Sequence, residues 1–256
     1  MTTPRYDHIG HGYARRRRED PHLKARICAA LDGASTIVNV GAGSGNYEPE
    51  GVHMIPVEPS GIMAAQRPQS RPAIRAFADD LPLHDQSVDA AMTVLSLHHW
   101  HPKTQKGLAE LCRVARDRVI IVTIDPVVCG AMWLMADYLH EVRDLDMEIF
   151  PSIDEVVAAL DRPAQVEVVP IHRDTPDHSL MSFWAHPERV LDADARQATS
   201  GFARQPEQVV ERVVSAVKAD LESGRWDERY GHLRGQETYD AGLRLITARV
   251  QSADVP

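Results

Sequence analysis

The chain has 256 residues, 43% of them hydrophobic, with 37 acidic against 28 basic residues and a formal net charge of -9 at pH 7. That length suits one large domain, or one domain with an insertion, with apolar residues enough for a buried core. The acidic balance argues against a broad phosphate-binding surface, so no nucleic-acid partner is expected. Cys28, Cys112 and Cys129 are odd in number and unclustered, which fits neither a disulfide framework nor a metal set and points to a cytoplasmic protein. The opening MTTPRYDHIG lacks the layout of a signal peptide, and the most apolar later stretch, residues 127–139, is too short and interrupted to span a bilayer, so no membrane association is expected.

In chain order, residues 1–20 are polar, carry four consecutive arginines at 15–18, and read as a lid or as a solvated charged face. Asp20 is placed to cap a helix with Pro21 at its first position and Leu23, Ile27 and Leu31 on one side. Apolar runs at 36–40, 54–57, 88–97 and 118–124, bounded by Gly, Pro and Asp, predict strands of a parallel sheet buried on both faces. Between the last two, Leu108, Leu111, Cys112 and Ala115 form a helical stripe. Strand and helix alternate, which predicts a doubly wound α/β sheet with helices on both faces. Residues 126–160 read as mostly helical and 165–171 as a further strand. From 176 to 237 aromatic residues gather (Phe183, Trp184, Phe202, Trp226, Tyr230), and Val209, Val210, Val213, Val214, Val217 and Leu221 share a helix face. This is a helical cap inserted before a last strand at 242–249. The expected division is a lid at 1–20, a Rossmann-like domain at 21–175, the cap at 176–237, and the final strand with its tail at 238–256.

The stretch VNVGAGSG, residues 38–45, ends the first strand with Gly41, Gly43 and Gly45. Without side chains the backbone can approach a ligand closely, and a helix that follows offers unpaired N–H groups. The second strand ends at Glu58, whose carboxylate can accept from both ribose hydroxyls. Dinucleotide and adenosyl ligands share that contact, so these residues leave both open.

The segment ADDLPLHDQSVDAAMTVLSLHHW, residues 78–100, with its Asp79, Leu81-Pro82 and Asp89, resembles class I S-adenosyl-L-methionine (SAM)-dependent methyltransferases of the small-molecule type, and so does the order of the three motifs. Asn46, where a dinucleotide fingerprint has glycine or alanine, agrees. The resemblance implies a seven-stranded Rossmann-like sheet, SAM as cofactor and S-adenosyl-L-homocysteine as product. By it, Gly41, Gly43 and Gly45 lie against the methionine and ribose of SAM, Glu58 holds the ribose, Pro59, Ser60, Ala78 and Asp79 border the adenine, and Ser96 lies on the methionine side. Phe77 stands where the family commonly has Asp, so the adenine amino group falls to Asp79 or the adenine face to Phe77. A Tyr-x-x-x-Arg layout ahead of the domain implies that Tyr13 and Arg17 touch SAM.

Residues 96–102, SLHHWHP, follow the strand predicted at 88–97, at the carboxyl edge of the sheet where α/β folds bind ligands. His98 or His99 is the candidate base for a proton leaving the acceptor, or one of them is a structural strand end. No Cys or carboxylate completes a metal set with His98, His99 and His101, and none is expected. Trp100 and Trp184 are candidates for the acceptor pocket, with Trp226 and Tyr230 weighed beside them against burial in the core. The expected activity is methyl transfer to O, N or C of a small molecule, with secondary metabolism as the expected setting, by a monomer or homodimer. Alternatives are a tRNA or protein methyltransferase, an NAD-dependent oxidoreductase and a non-catalytic SAM-binding regulator.

Overall fold

A computed structural model describes residues 18–249. The first helix, α1 (Pro21–Ala30), begins where the Asp20 carboxylate accepts from the N–H groups of His22 and Leu23, satisfying donors that the helix itself leaves unpaired. Its buried Leu23 and Ile27 pack on a sheet whose strands are β1 (Thr36–Val40), β2 (His53–Val57), β3 (Val88–Val94), β4 (Ala115–Ile124), β5 (Ala164–Val168) and β8 (Leu243–Arg249). The order is β2-β1-β3-β4-β8-β5. The first four run parallel, and β8 lies antiparallel to both β4 and β5.

Strands buried on both faces must be apolar on both. Ile37 in β1, Ile120 and Val122 in β4 and Leu243 and Leu245 in β8 face one core, which continues through Trp133, Trp184 and Trp226. Val38, Val119, Ile121 and Ile246 face the other, beneath α3 (Thr104–Val114) and α6 (Ile153–Ala159). A short helix α2 (Gly61–Ala64) follows β2, and α4 (Pro126–Gly130) and α5 (His140–Ile149) follow β4. A two-stranded ribbon of β6 (Ile171–His172) and β7 (Thr238–Tyr239) ties together the ends of a helical segment. That segment contains α7 (Ala193–Gln197), α8 (Ser200–Ala203), α9 (Glu207–Glu222) and α10 (Arg225–Tyr230).

Three details differ from the sequence reading. The sheet has six strands rather than seven: beside β2 only Ile74 bridges, in parallel to Val57, donating to the Pro56 carbonyl at 2.8 Å. Ile74 is 40% exposed and flanked by Pro72, Arg71 and Arg75, so no apolar run exists to propagate the pairing. The strand expected at 165–171 divides into β5 and β6 at Pro170, which has no N–H to continue a ladder. The third predicted segment, 88–97, ends as a strand at Val94, because Leu95 turns left-handed at φ 51° and a 3-10 turn follows at Leu97–His99.

Candidate active site

The parallel order places β1 between β2 and β3, so the chain leaves β1 in one direction for β2 and returns on the other side as β3. Such a switch point opens a crevice at the carboxyl ends of the strands. Here a cleft of about 340 Å³ lies there, within the roughly 300–1,000 Å³ of small-molecule sites.

Its floor is the glycine loop. Gly41 and Ala42 donate their N–H groups to the Val57 carbonyl at 2.9 and 3.0 Å, which fastens the loop to the end of β2. Gly41 has φ 74°, and a Cβ there would lie 1.9 Å from Ser96 Oγ, so only glycine lets β1 and the end of β3 approach. Glu58, 6% exposed, accepts from Gly43 N–H through one carboxylate oxygen and from Ser60 N–H through the other, both at 2.8 Å. Desolvation by burial raises its carboxyl above the usual range, opposed by those two N–H groups and by the charges of Arg67 and Arg75. Each carboxylate oxygen retains an accepting direction for a ligand hydroxyl.

Of the residues predicted from sequence, Gly41, Gly43, Glu58, Pro59, Ser60, Ala78, Asp79, Ser96, His99 and Trp100 line this cleft. Gly45 does not; a Cβ on it would meet the Arg67 guanidinium at 3.3 Å, and its role is to admit that side chain. Ser60 caps α2 through its Oγ, and Asp79 is paired with Lys103 at 2.6 Å. Trp100 lies over α3, where a Cβ on Gly107 would come 2.5 Å from its ring. His98 faces away: its ring lies 3.7 Å from that of His99 and 4.6 Å from that of Phe150, and it lines a second cavity under the cap. Trp184, expected at the acceptor pocket, is fully buried, stacks on Tyr239 and lines neither cavity. Trp226 is buried as well, and the hydroxyl of Tyr230 donates to Asp137. Tyr13 and Arg17 lie outside the described residues.

Sequence reasoning missed the support behind the loop. Arg67 donates to the carbonyls of Ala42 and Gly43 at 3.1 and 3.3 Å and, through its other terminal nitrogen, to both oxygens of Glu48 at 2.8 Å. Both side chains are almost wholly buried, at 1% and 2% exposure. Asn39 adds a donor to Glu48 at 3.1 Å. Phe77, 46% exposed, and Met63 add apolar surface to the cleft. A carboxylate at the end of β2, a loop that a Cβ would fill, and an apolar slot beside Ala78 together fit a nucleoside with a ribose diol and a flat base.

The profile of a family described as a methyltransferase domain matches residues 38–123. The structure resembles one from Anabaena variabilis described as a methyltransferase from an antibiotic biosynthesis pathway, with 26% identity and a TM-score of 0.83 over 91% of this chain and 99% of that one. It is similar in fold to the YcgJ protein of Bacillus subtilis, with 18% identity and a TM-score of 0.54 over 90% of this chain and 98% of that one. A geranyl diphosphate C-methyltransferase from Streptomyces coelicolor, solved with S-adenosyl-L-homocysteine, shares the fold at 15% identity and a TM-score of 0.51, over 89% of this chain and 78% of that one. Comparison with curated proteins gives no match.

Replacing Arg67 by methionine leaves Glu48 buried without its cation, and the expected cost is about 3–5 kcal/mol. Urea unfolding measures it. The paired variant Glu48→Met/Arg67→Met should recover part of the loss, and a single variant that unfolds at the wild-type midpoint would contradict the role of the pair.

Proposed function

We propose that this chain, a class I SAM-dependent methyltransferase, methylates oxygen, nitrogen or carbon of a small molecule in secondary metabolism, with SAM bound in the cleft of the glycine loop. The observation that carries the reading is Glu58, a carboxylate held at the end of β2 by Gly43 and Ser60 and facing the same cleft. The A. variabilis relative, described as belonging to an antibiotic biosynthesis pathway, supports the metabolic setting.

Bound there, SAM supplies a sulfonium methyl group that leaves by in-line displacement, with S-adenosyl-L-homocysteine as product. The chain's own work is positioning. Glu58 accepts from the ribose hydroxyls while Gly41 and Gly43 let the backbone close on the ligand. Pro59, Ser60, Ala78 and Asp79 border the adenine, with the exposed ring of Phe77 beside them, and Ser96 stands on the methionine side. For Tyr13 and Arg17, outside the described residues, the resemblance implies a role at the methionine end of SAM, with Arg17 as the partner of its carboxylate. His99, in the cleft, or His98, behind it, receives the proton that an oxygen or nitrogen acceptor gives up, and Trp100 forms a wall. In this reading residues 21–175 hold SAM, 176–237 cover the acceptor side and 238–256 complete the sheet, in a cytoplasmic monomer or homodimer without nucleic-acid or metal partners.

Glu58→Ala should weaken S-adenosyl-L-homocysteine binding at least about tenfold in calorimetry, because it removes a buried acceptor pair. A raised carboxyl pKa also means that protonation begins above the ordinary glutamate range. Affinity therefore falls as pH drops toward that value, and Glu58→Gln should flatten the profile. Unchanged affinity in both variants would remove Glu58 from the site. Once screening of metabolites for methyl transfer yields an acceptor, His98→Ala or His99→Ala should lower kcat by about a hundredfold or more at saturating SAM; full activity in both excludes a histidine base.

A further inference from the structure

The cap closes over a second cavity, of about 90 Å³, at the carboxyl ends of β3 and β4. Leu95 lines both this chamber and the cofactor cleft, and the contacting rings of His98 and His99 divide between them, His98 toward the chamber and His99 toward the cleft. The sheet side of the chamber and α5 give apolar surface from Ile124, Val142 and Phe150, while the cap side adds the polar Thr199, Ser200 and Gln205. One carboxylate stands among them. Asp146, from α5, makes no side-chain hydrogen bond or ion pair among the described residues. The titratable groups sharing the chamber with it are His98 from the turn after β3, Cys129 from α4 and Arg204 after α8.

Resting on the methyltransferase reading, we propose that this chamber receives the methyl acceptor, an apolar molecule with a hydroxyl or amine head that donates a hydrogen bond to Asp146. A partly buried carboxylate that no donor of the chain engages is costly to desolvate, and a ligand that donates to it removes that cost. The chamber is small, so it takes the head and adjoining carbons of the acceptor while the remainder extends elsewhere. Desolvation raises the Asp146 carboxyl to about 6, with Arg204 opposing, so the group is anionic at neutral pH and ready to accept. The same shift fixes a sign for stability. A carboxyl whose pKa is higher folded than unfolded weighs against the fold once pH rises through that range, from about 4 to about 6. Asp146→Leu should therefore raise the melting temperature at pH 8 and leave it nearly unchanged at pH 4.

The test uses 1-butylamine, 1-butanol and 1-chlorobutane as probes of similar length, followed by ligand-observed NMR on the full chain saturated with S-adenosyl-L-homocysteine. At pH 8 the amine or the alcohol should bind at least tenfold more tightly than the chloride, and which of them does identifies the head group. Asp146→Leu should abolish that preference. Binding of the preferred probe should weaken as pH falls through about 6, and Asp146→Asn, which keeps the side-chain volume, should remove the pH dependence. Equal binding of the chloride, no binding of any probe, or unchanged preference in Asp146→Leu would overturn the proposal. Calorimetry with S-adenosyl-L-homocysteine on the same samples separates the two claims: binding of this ligand without the probes removes only the acceptor chamber, whereas its failure to bind removes the reading beneath it.

Discussion

Arg67 and Glu48 meet in the interior with both carboxylate oxygens engaged, and the same guanidinium holds two carbonyls of the glycine loop. A loop with three left-handed glycines at alternate positions, at φ 74°, 50° and 101°, has only the small side chains of Ala42 and Ser44 between them. Its shape is therefore imposed from outside, by Val57 and Glu58 on one side and Arg67 on the other. Desolvating such a pair yields little net stability unless the remaining polar groups are satisfied, and the two carbonyls and Asn39 meet that condition. The pair is better understood as a device that sets the loop's position than as a source of stability.

With the loop fixed, the rest of the site follows from the sheet. Gly41 fits against Ser96 only because β1 and β3 are neighbours in register, Val38 opposite Ala91. The turn after β3 then sends His98 and His99 to opposite sides of one wall. The cap contributes to the same apolar cluster as the sheet through Trp184 and Trp226, the latter edge-on to Trp133 outside the cap, so its large aromatic residues hold it down. Met181, Ser200, Gly201 and Arg204 of the cap face the chamber with Asp146.

Much of this was legible in the chain because the informative residues stand next to strand ends. Gly41, Glu58 and Ser96 each follow an apolar run closely, so predicting the strands places them together at the sheet edge. The reading fails where position depends on distant partners. Arg67 is 19 positions from Glu48 and 25 from Ala42, and nothing local distinguishes it from a surface arginine. Asp146 sits in an ordinary amphipathic helix whose surroundings are set by the packing of α8 and the turns before it. Trp184 has the composition of a pocket residue, but its neighbours across the cap bury it. The missing seventh strand failed for a different reason: Pro72, Arg71 and Arg75 leave Ile74 too isolated to pair beyond a single bridge.

The central claim is that the cleft built by the glycine loop and Glu58 is made for an adenosyl sulfonium compound and not for a dinucleotide. Thermal unfolding of the full chain with SAM, with S-adenosyl-L-homocysteine and with NAD tests it most directly, because a ligand that binds only the folded state raises the melting temperature with its concentration. The account predicts stabilisation by the first two and none by NAD; stabilisation by NAD with no response to either SAM compound would contradict it.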